Sequence, residues 1–189
     1  MRYLLILLCL CTQSAFASQE RERLAPDVLL SMHTSIINPI APHLVFANPH
    51  QADIWLNTMS SRLSQWISDD FLRKRYLTTI QYEATRAGLD PQLVLSVITV
   101  ESRFNKYALS SSGARGMMQV MPFWVDQIGA PDQDLFDLET NIRYGCTILR
   151  YYLRKEHGDM RAALARYNGS LGHDTYPNEV ISAYNHYWQ

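Results

Sequence analysis

Residues 91 to about 104 are apolar on nearly every side, and a helix of that composition belongs at the centre of a core rather than on its surface. Its start is signalled by Asp90-Pro91, an N-cap followed by a proline in the first turn. Gly88 is placed to end the helix before it, residues 71–87, with Leu77, Ile80, Ala84 and Ala87 inward. Upstream, Trp55, Met59, Leu63 and Trp66 recur at helical spacing on one face. Downstream, a polar loop covers residues 105–116 and helical pattern returns at about Met117. It returns again from about 139 to 156, where Ile142, Cys146, Leu149 and Leu153 form the stripe. His157-Gly158 closes that helix, Asp159 caps the next over residues 160–168, and a last one starts near Pro177 with Val180, Ile181 and Tyr184 inward. No segment alternates as a strand does, so the fold class is all-α, a single globular helical domain.

The first stretch stands apart. Arg2 precedes an apolar run from Tyr3 through Cys11, and Ala15-Phe16-Ala17 closes it with a small-x-small pattern. These are the parts of a cleavable signal peptide over residues 1–17, too short for a membrane span. Cys9 and Cys11 raise a lipoprotein alternative, but Leu8 and Leu10 stand where lipidation needs small residues. The expectation is an exported chain, periplasmic or secreted, beginning near Ser18, with no stable membrane insertion and no lipid anchor. Only Cys146 would remain in it, leaving no internal disulfide. Residues 18–50, broken by Asn38-Pro39, Ala41-Pro42 and Asn48-Pro49, read as either an extended arm on the domain or a partly disordered linker. Residues 18–75 thus form an N-terminal arm and helical extension, and 76–189 the main domain. With 17 Lys+Arg against 18 Asp+Glu, nothing points to nucleic acid as a partner. The six histidines show no metal spacing, so no metal site is expected.

Glu101 continues the inward stripe Val94, Val97, Ile98. A carboxyl on that face loses hydration, which raises its pKa and suits it to general acid catalysis. The competing reading pairs it with Arg103, Arg115 or Arg143. The loop that follows, Ser110 to Gly116, is small, polar and rich in glycine, fit to line a cleft, and Gln119 offers an amide among apolar neighbours.

Three blocks stand in order: Glu101-Ser102, then Gly113-Ala114-Arg115-Gly116-Met117-Met118-Gln119-Val120-Met121-Pro122, then Ala165-Arg166-Tyr167-Asn168. Over about residues 76–189 the chain resembles the soluble lytic transglycosylase family, whose lysozyme-like fold is related to that of goose-type lysozymes. Asn141-Ile142 and Gly145 are similar to the family's next helix. The resemblance implies cleavage of peptidoglycan glycan strands between N-acetylmuramic acid and N-acetylglucosamine. It implies Glu101 as the sole catalytic carboxyl, and Ser110, Gln119, Met121 and Tyr167 as substrate-binding residues. The Tyr167 hydroxyl would approach the carboxyl, and Asn168 would hold the fold. Met117 where the family has leucine, and Arg166 with Gly169-Ser170 in the third block, depart from the pattern at the cleft edge.

What the resemblance implies chemically is one acid used twice, with a 1,6-anhydro sugar as product and no cofactor. The alternative is hydrolysis, which needs a second carboxylate; Asp126, Asp132, Asp134 and Asp137 are candidates, better read as solvated or capping residues. A further alternative is a non-catalytic glycan-binding component of an envelope assembly. A domain of this size is compatible with a dedicated partner in an envelope-spanning secretion, conjugation or flagellar machine.

Overall fold

In the computed structural model, which describes residues 21–189, Asp90 caps the core helix as its sequence requires. Its Oδ1 accepts from the Gln92 N–H at 2.9 Å and its Oδ2 from the Tyr184 hydroxyl at 2.8 Å. The chain carries helices α1 (Pro26–Ile37), α2 (Pro49–Leu63), α3 (Asp70–Ala87), α4 (Pro91–Glu101), α5 (Phe123–Ile128), α6 (Leu138–Lys155), α7 (Met160–Asn168) and α8 (Thr175–Ala183). A π-helical turn over Tyr184–Trp188 follows. Two isolated β-bridges, Leu109 with Arg115 and Arg115 with Val120, are the only extended pairings among the described residues. None of the described helices is long and apolar enough to cross a membrane. The expected signal peptide lies outside the described residues.

α6 packs against α1, α3 and α7, while α4 packs against α3, α8 and the terminal turn. Leu77, Ile80, Val94, Val97, Ile98, Ile142 and Leu149 are sealed from solvent between them. Each such side chain contributes about 1.5–3 kcal/mol by leaving water. Trp188, also sealed, donates from Nε1 to Thr99 Oγ1 at 2.9 Å and stacks on Trp66 at 5.5 Å. One charged group is deeply buried as well. Glu83 on α3 accepts from Arg143 on α6 at 3.0 Å and from Arg86 at 2.9 Å, so its charge is matched.

Three expectations change. Residues 18–50 hold a helix: α1 begins with Pro26 in its first turn and buries Met32 and Ile36, ending at Asn38-Pro39. Only the stretch beyond it is extended, and there Gln81 brackets Val45, accepting from its N–H and donating to its carbonyl, both at 2.9 Å. The core helix stops at Glu101 rather than near Phe104, because Arg103 (φ 50°) and Phe104 (φ 64°) turn left-handed. That conformation costs on the order of 1 kcal/mol per residue. It is offset by the burial of the Phe104 ring against Trp66 (5.4 Å) and Trp188 (5.7 Å). Finally, Met117 opens no helix. α5 starts only at Phe123, since the backbone groups of Met117 and Met118 bond to side chains from elsewhere in the fold.

Candidate active site

Glu101 is the last residue of α4 and is half-buried as a residue. α8 crosses α4 and brings Tyr176, from its first turn, over the carboxyl. The Tyr176 hydroxyl donates to Glu101 Oε1 at 2.6 Å. Burial raises the Glu101 carboxyl from 4.5 to about 7; the Tyr176 hydrogen bond opposes that rise and the negative field of Glu179 adds to it. Burial, and next the Glu101 charge, push the Tyr176 phenol well above its ordinary value, so it stays a donor through neutral pH.

No cation neutralises this carboxyl among the described residues. Arg143 is committed to Glu83 at 3.0 Å. Arg115 lies over the Phe136 ring at 5.9 Å and Arg103 is exposed. The pairing of Glu101 with an arginine, open from sequence, is not what the fold contains. The four loop aspartates make no hydrogen bond with Glu101 among the described residues. Asp126 is exposed beside Arg21 at 3.4 Å and Asp132 is exposed. Asp134 accepts from Phe136 N–H at 2.8 Å and Asp137 caps α6, accepting from Thr140 N–H at 2.9 Å.

The segment after α4 is a clamped loop. Ser110 closes it on itself: its hydroxyl accepts from Ala114 N–H and its own N–H donates to the Ala114 carbonyl, both at 3.0 Å. Gln119, at φ 46°, is buried and donates from Nε2 to the carbonyls of Gly116 (2.8 Å) and Ala108 (3.2 Å). Its nitrogen therefore braces the loop from within. Met121 is half-buried against the core. Ser102 Oγ donates to the Met117 carbonyl at 2.8 Å, tying the residue next to Glu101 to this loop.

Two residues of α6 fix the loop from below. Asn141 accepts from Met118 N–H at 2.8 Å and donates to the carbonyls of Arg115 (2.9 Å) and Leu135 (2.8 Å). Gly145 admits the Met118 side chain, whose sulfur would lie 2.2 Å from any Cβ placed there.

Tyr167 is sealed from solvent and its hydroxyl donates to the Met118 carbonyl at 2.7 Å; the hydroxyl bonded to Glu101 Oε1 is that of Tyr176. Tyr167 stands close enough to Tyr176 to raise its phenol electrostatically. Ser102, Tyr167 and Asn141 thus hold the loop, and Tyr176 holds the acid. The sequence alone assigned Tyr176 no role; its position beside Pro177 at a helix start was the one signal available. Glu179, three residues on, was not singled out at all. The result is a single carboxyl kept protonated near neutrality, gripped by one phenol, at the edge of a rigid loop.

A family model described as "Transglycosylase SLT domain" matches residues 78–186, more than half of the chain. The "Transglycosylase" of Enterobacteria phage PRD1 is 32% identical over 114 residues, covering 57% of this chain and 42% of that protein. The "Membrane-bound lytic murein transglycosylase F" of Desulfosudis oleivorans is 35% identical over 106 residues, 52% of this chain and 23% of its own length. The "Membrane-bound lytic murein transglycosylase C" of Mannheimia succiniciproducens is 32% identical over 116 residues, 52% and 32% respectively. The chain therefore spans less than half the length of these relatives. Among solved structures, an inactive mutant of the lytic transglycosylase Slt of Pseudomonas aeruginosa aligns with a TM-score of 0.46 at 25% identity. That alignment covers 71% of this chain and 25% of that one.

Proposed function

Because the chain belongs to the transglycosylase SLT domain family, we propose that it is a peptidoglycan lytic transglycosylase whose general acid and base is Glu101. The observation that carries this reading is a carboxyl with no cation paired to it, its pKa raised to about 7 and Tyr176 as its hydrogen-bond partner. In the neutral form Glu101 donates its proton to the glycosidic oxygen as the bond to C1 of N-acetylmuramic acid breaks. The oxocarbenium-like centre that develops is stabilised from the substrate side by the sugar's own N-acetyl oxygen. The carboxylate left behind, steadied by the Tyr176 hydroxyl, then takes the proton of the C6 hydroxyl. C6 oxygen attacks C1 and closes a 1,6-anhydro ring, returning Glu101 to its starting form without water entering the balance.

In this proposal Ser110 and Met121 border the cleft, and Gln119 and Tyr167 act by holding the loop that shapes it. The chain works as an exported, periplasmic or secreted enzyme on peptidoglycan glycan strands, in the service of an envelope-spanning secretion or conjugation machine. Crosslinking in cells followed by co-purification tests that last element, and recovery of the chain free of envelope machinery would remove it.

One observation favours a hydrolytic reading instead. Glu179 lies near enough to Glu101 to affect its ionisation, and a second carboxylate is what water activation requires. Mass spectrometry of purified peptidoglycan digested by the chain decides between them. Fragments lighter by one water than the hydrolytic products are expected; fragments carrying that water would establish a muramidase.

A further inference from the structure

A cavity of about 750 Å³ opens between α1, α3 and α6, and its lining shares no residue with the candidate active site. That volume is in the range of ligand pockets, about 300–1,000 Å³. α1 precedes the family-matched residues 78–186, so the cavity exists only where the N-terminal extension meets the domain. Its lining includes Arg23, Arg86, Arg150, Arg154 and Lys155, against the acids Asp27 and Glu83. The chain as a whole carries a net charge of −1, so this concentration of cations is local.

Not all of these cations are engaged. Arg86 holds α1 to α3, donating to Glu83 and to the carbonyls of Ser35 and Asn38, and Lys155 pairs with Glu22. Glu83 is already neutralised by Arg143 and Arg86. Arg23 and Arg154 make no ion pair or hydrogen bond among the described residues. The buried Nε of Arg150 also lacks an acceptor. A buried donor without a partner is costly, by about 1–3 kcal/mol, and an incoming acceptor would relieve it. Facing these groups, Val28, Met32 and Ala87 supply an apolar wall.

We propose that this cavity binds an acidic peptide segment of a partner protein, its carboxylates on Arg23, Arg150 and Arg154 and an aliphatic side chain against Val28 and Met32. A simple anion would meet only half of that surface. The paired walls call for carboxylates and an apolar group on one chain, with charge steering its approach.

The test is calorimetric titration of the chain with the peptide acetyl-Asp-Leu-Glu-Leu-Asp-amide in buffer of about 20 mM ionic strength. Saturable binding is expected, weakened roughly tenfold in an R23E/R154E variant and similarly at about 300 mM salt. Both positions are exposed, so the variant keeps its fold, which its thermal melting verifies. Binding should persist in Glu101→Gln, and in the parent chain saturating peptide should leave wall digestion unchanged. Failure to bind at millimolar peptide, or equal binding by the variant, would overturn the proposal. Equal affinity for inorganic phosphate would reduce the site to a general anion pocket, and competition with peptidoglycan digestion would place the peptide at Glu101 instead.

Discussion

The Tyr176 hydroxyl lies 2.6 Å from Glu101 Oε1, and the bond reaches from the first turn of one helix to the last residue of another. It favours the ionised carboxyl, against a burial effect that favours the neutral one. Tyr176→Phe removes the opposing influence, so the Glu101 pKa rises above its value of about 7. The fall in activity on the alkaline side should move to higher pH, while the maximum rate drops by roughly tenfold through loss of positioning. A pH profile of peptidoglycan solubilisation checks both. A variant whose profile is merely scaled down, with its alkaline limb in place, would remove Tyr176 from the control of Glu101.

Glu101→Gln keeps an acceptor for Tyr176 but has no proton to give. Solubilisation should fall by at least ~10²-fold. The same substitution should change stability in a pH-dependent way. The folded carboxyl titrates at about 7 against 4.5 for the ordinary group, so the native state binds the proton more tightly. Stability associated with Glu101 is fully present below pH 4.5 and is lost as pH rises through about 7. The glutamine variant escapes that loss. At pH 8 it should be more stable than the parent by roughly 2 kcal/mol, with no comparable gain near pH 4. Denaturant titrations at the two pH values measure it.

The pairing of α4 with its loop was foreshadowed in the residues; the partner of the acid was not. The apolar stripe of Val94, Val97 and Ile98 is sealed from solvent as its spacing predicts, because helical spacing is a local property. Gly88 and the caps Asp90, Asp137 and Asp159 follow the same local logic. Tyr167 and Tyr176 could not be told apart this way, since both sit in short helices and only the crossing of α8 over α4 decides which reaches the carboxyl. α1 was hidden for a different reason. Its proline lies in the first turn, where it supports a helix, yet it reads like the helix-breaking prolines that follow.

Gly145→Ala tests the floor of the site. A methyl there would stand 2.2 Å from the Met118 sulfur and 2.7 Å from its Cβ, so the clamped loop must shift. A loss of about 1–3 kcal/mol is expected, together with reduced solubilisation at temperatures where the variant is still folded. Thermal melting alongside activity separates the two effects.

Glu83→Ala should leave Arg143 charged and buried between α3 and α6, with one nitrogen already lacking a partner. Removing one member of such a pair costs about 3–5 kcal/mol. Chemical denaturation of the variant should show a correspondingly lower midpoint, and an unchanged midpoint would mean that solvent reaches Arg143.

The left-handed turn at Arg103 and Phe104 has an electrostatic effect on the acid two residues before it. By ending α4 at Glu101, it leaves the acid in the last turn of the helix, at the end where aligned peptide dipoles gather about half a negative charge. Had the helix run on to Phe104, that charge would have been carried a turn further away. The helix terminus itself therefore discourages a second negative charge, and helps keep the proton on Glu101 until a sugar oxygen arrives to take it.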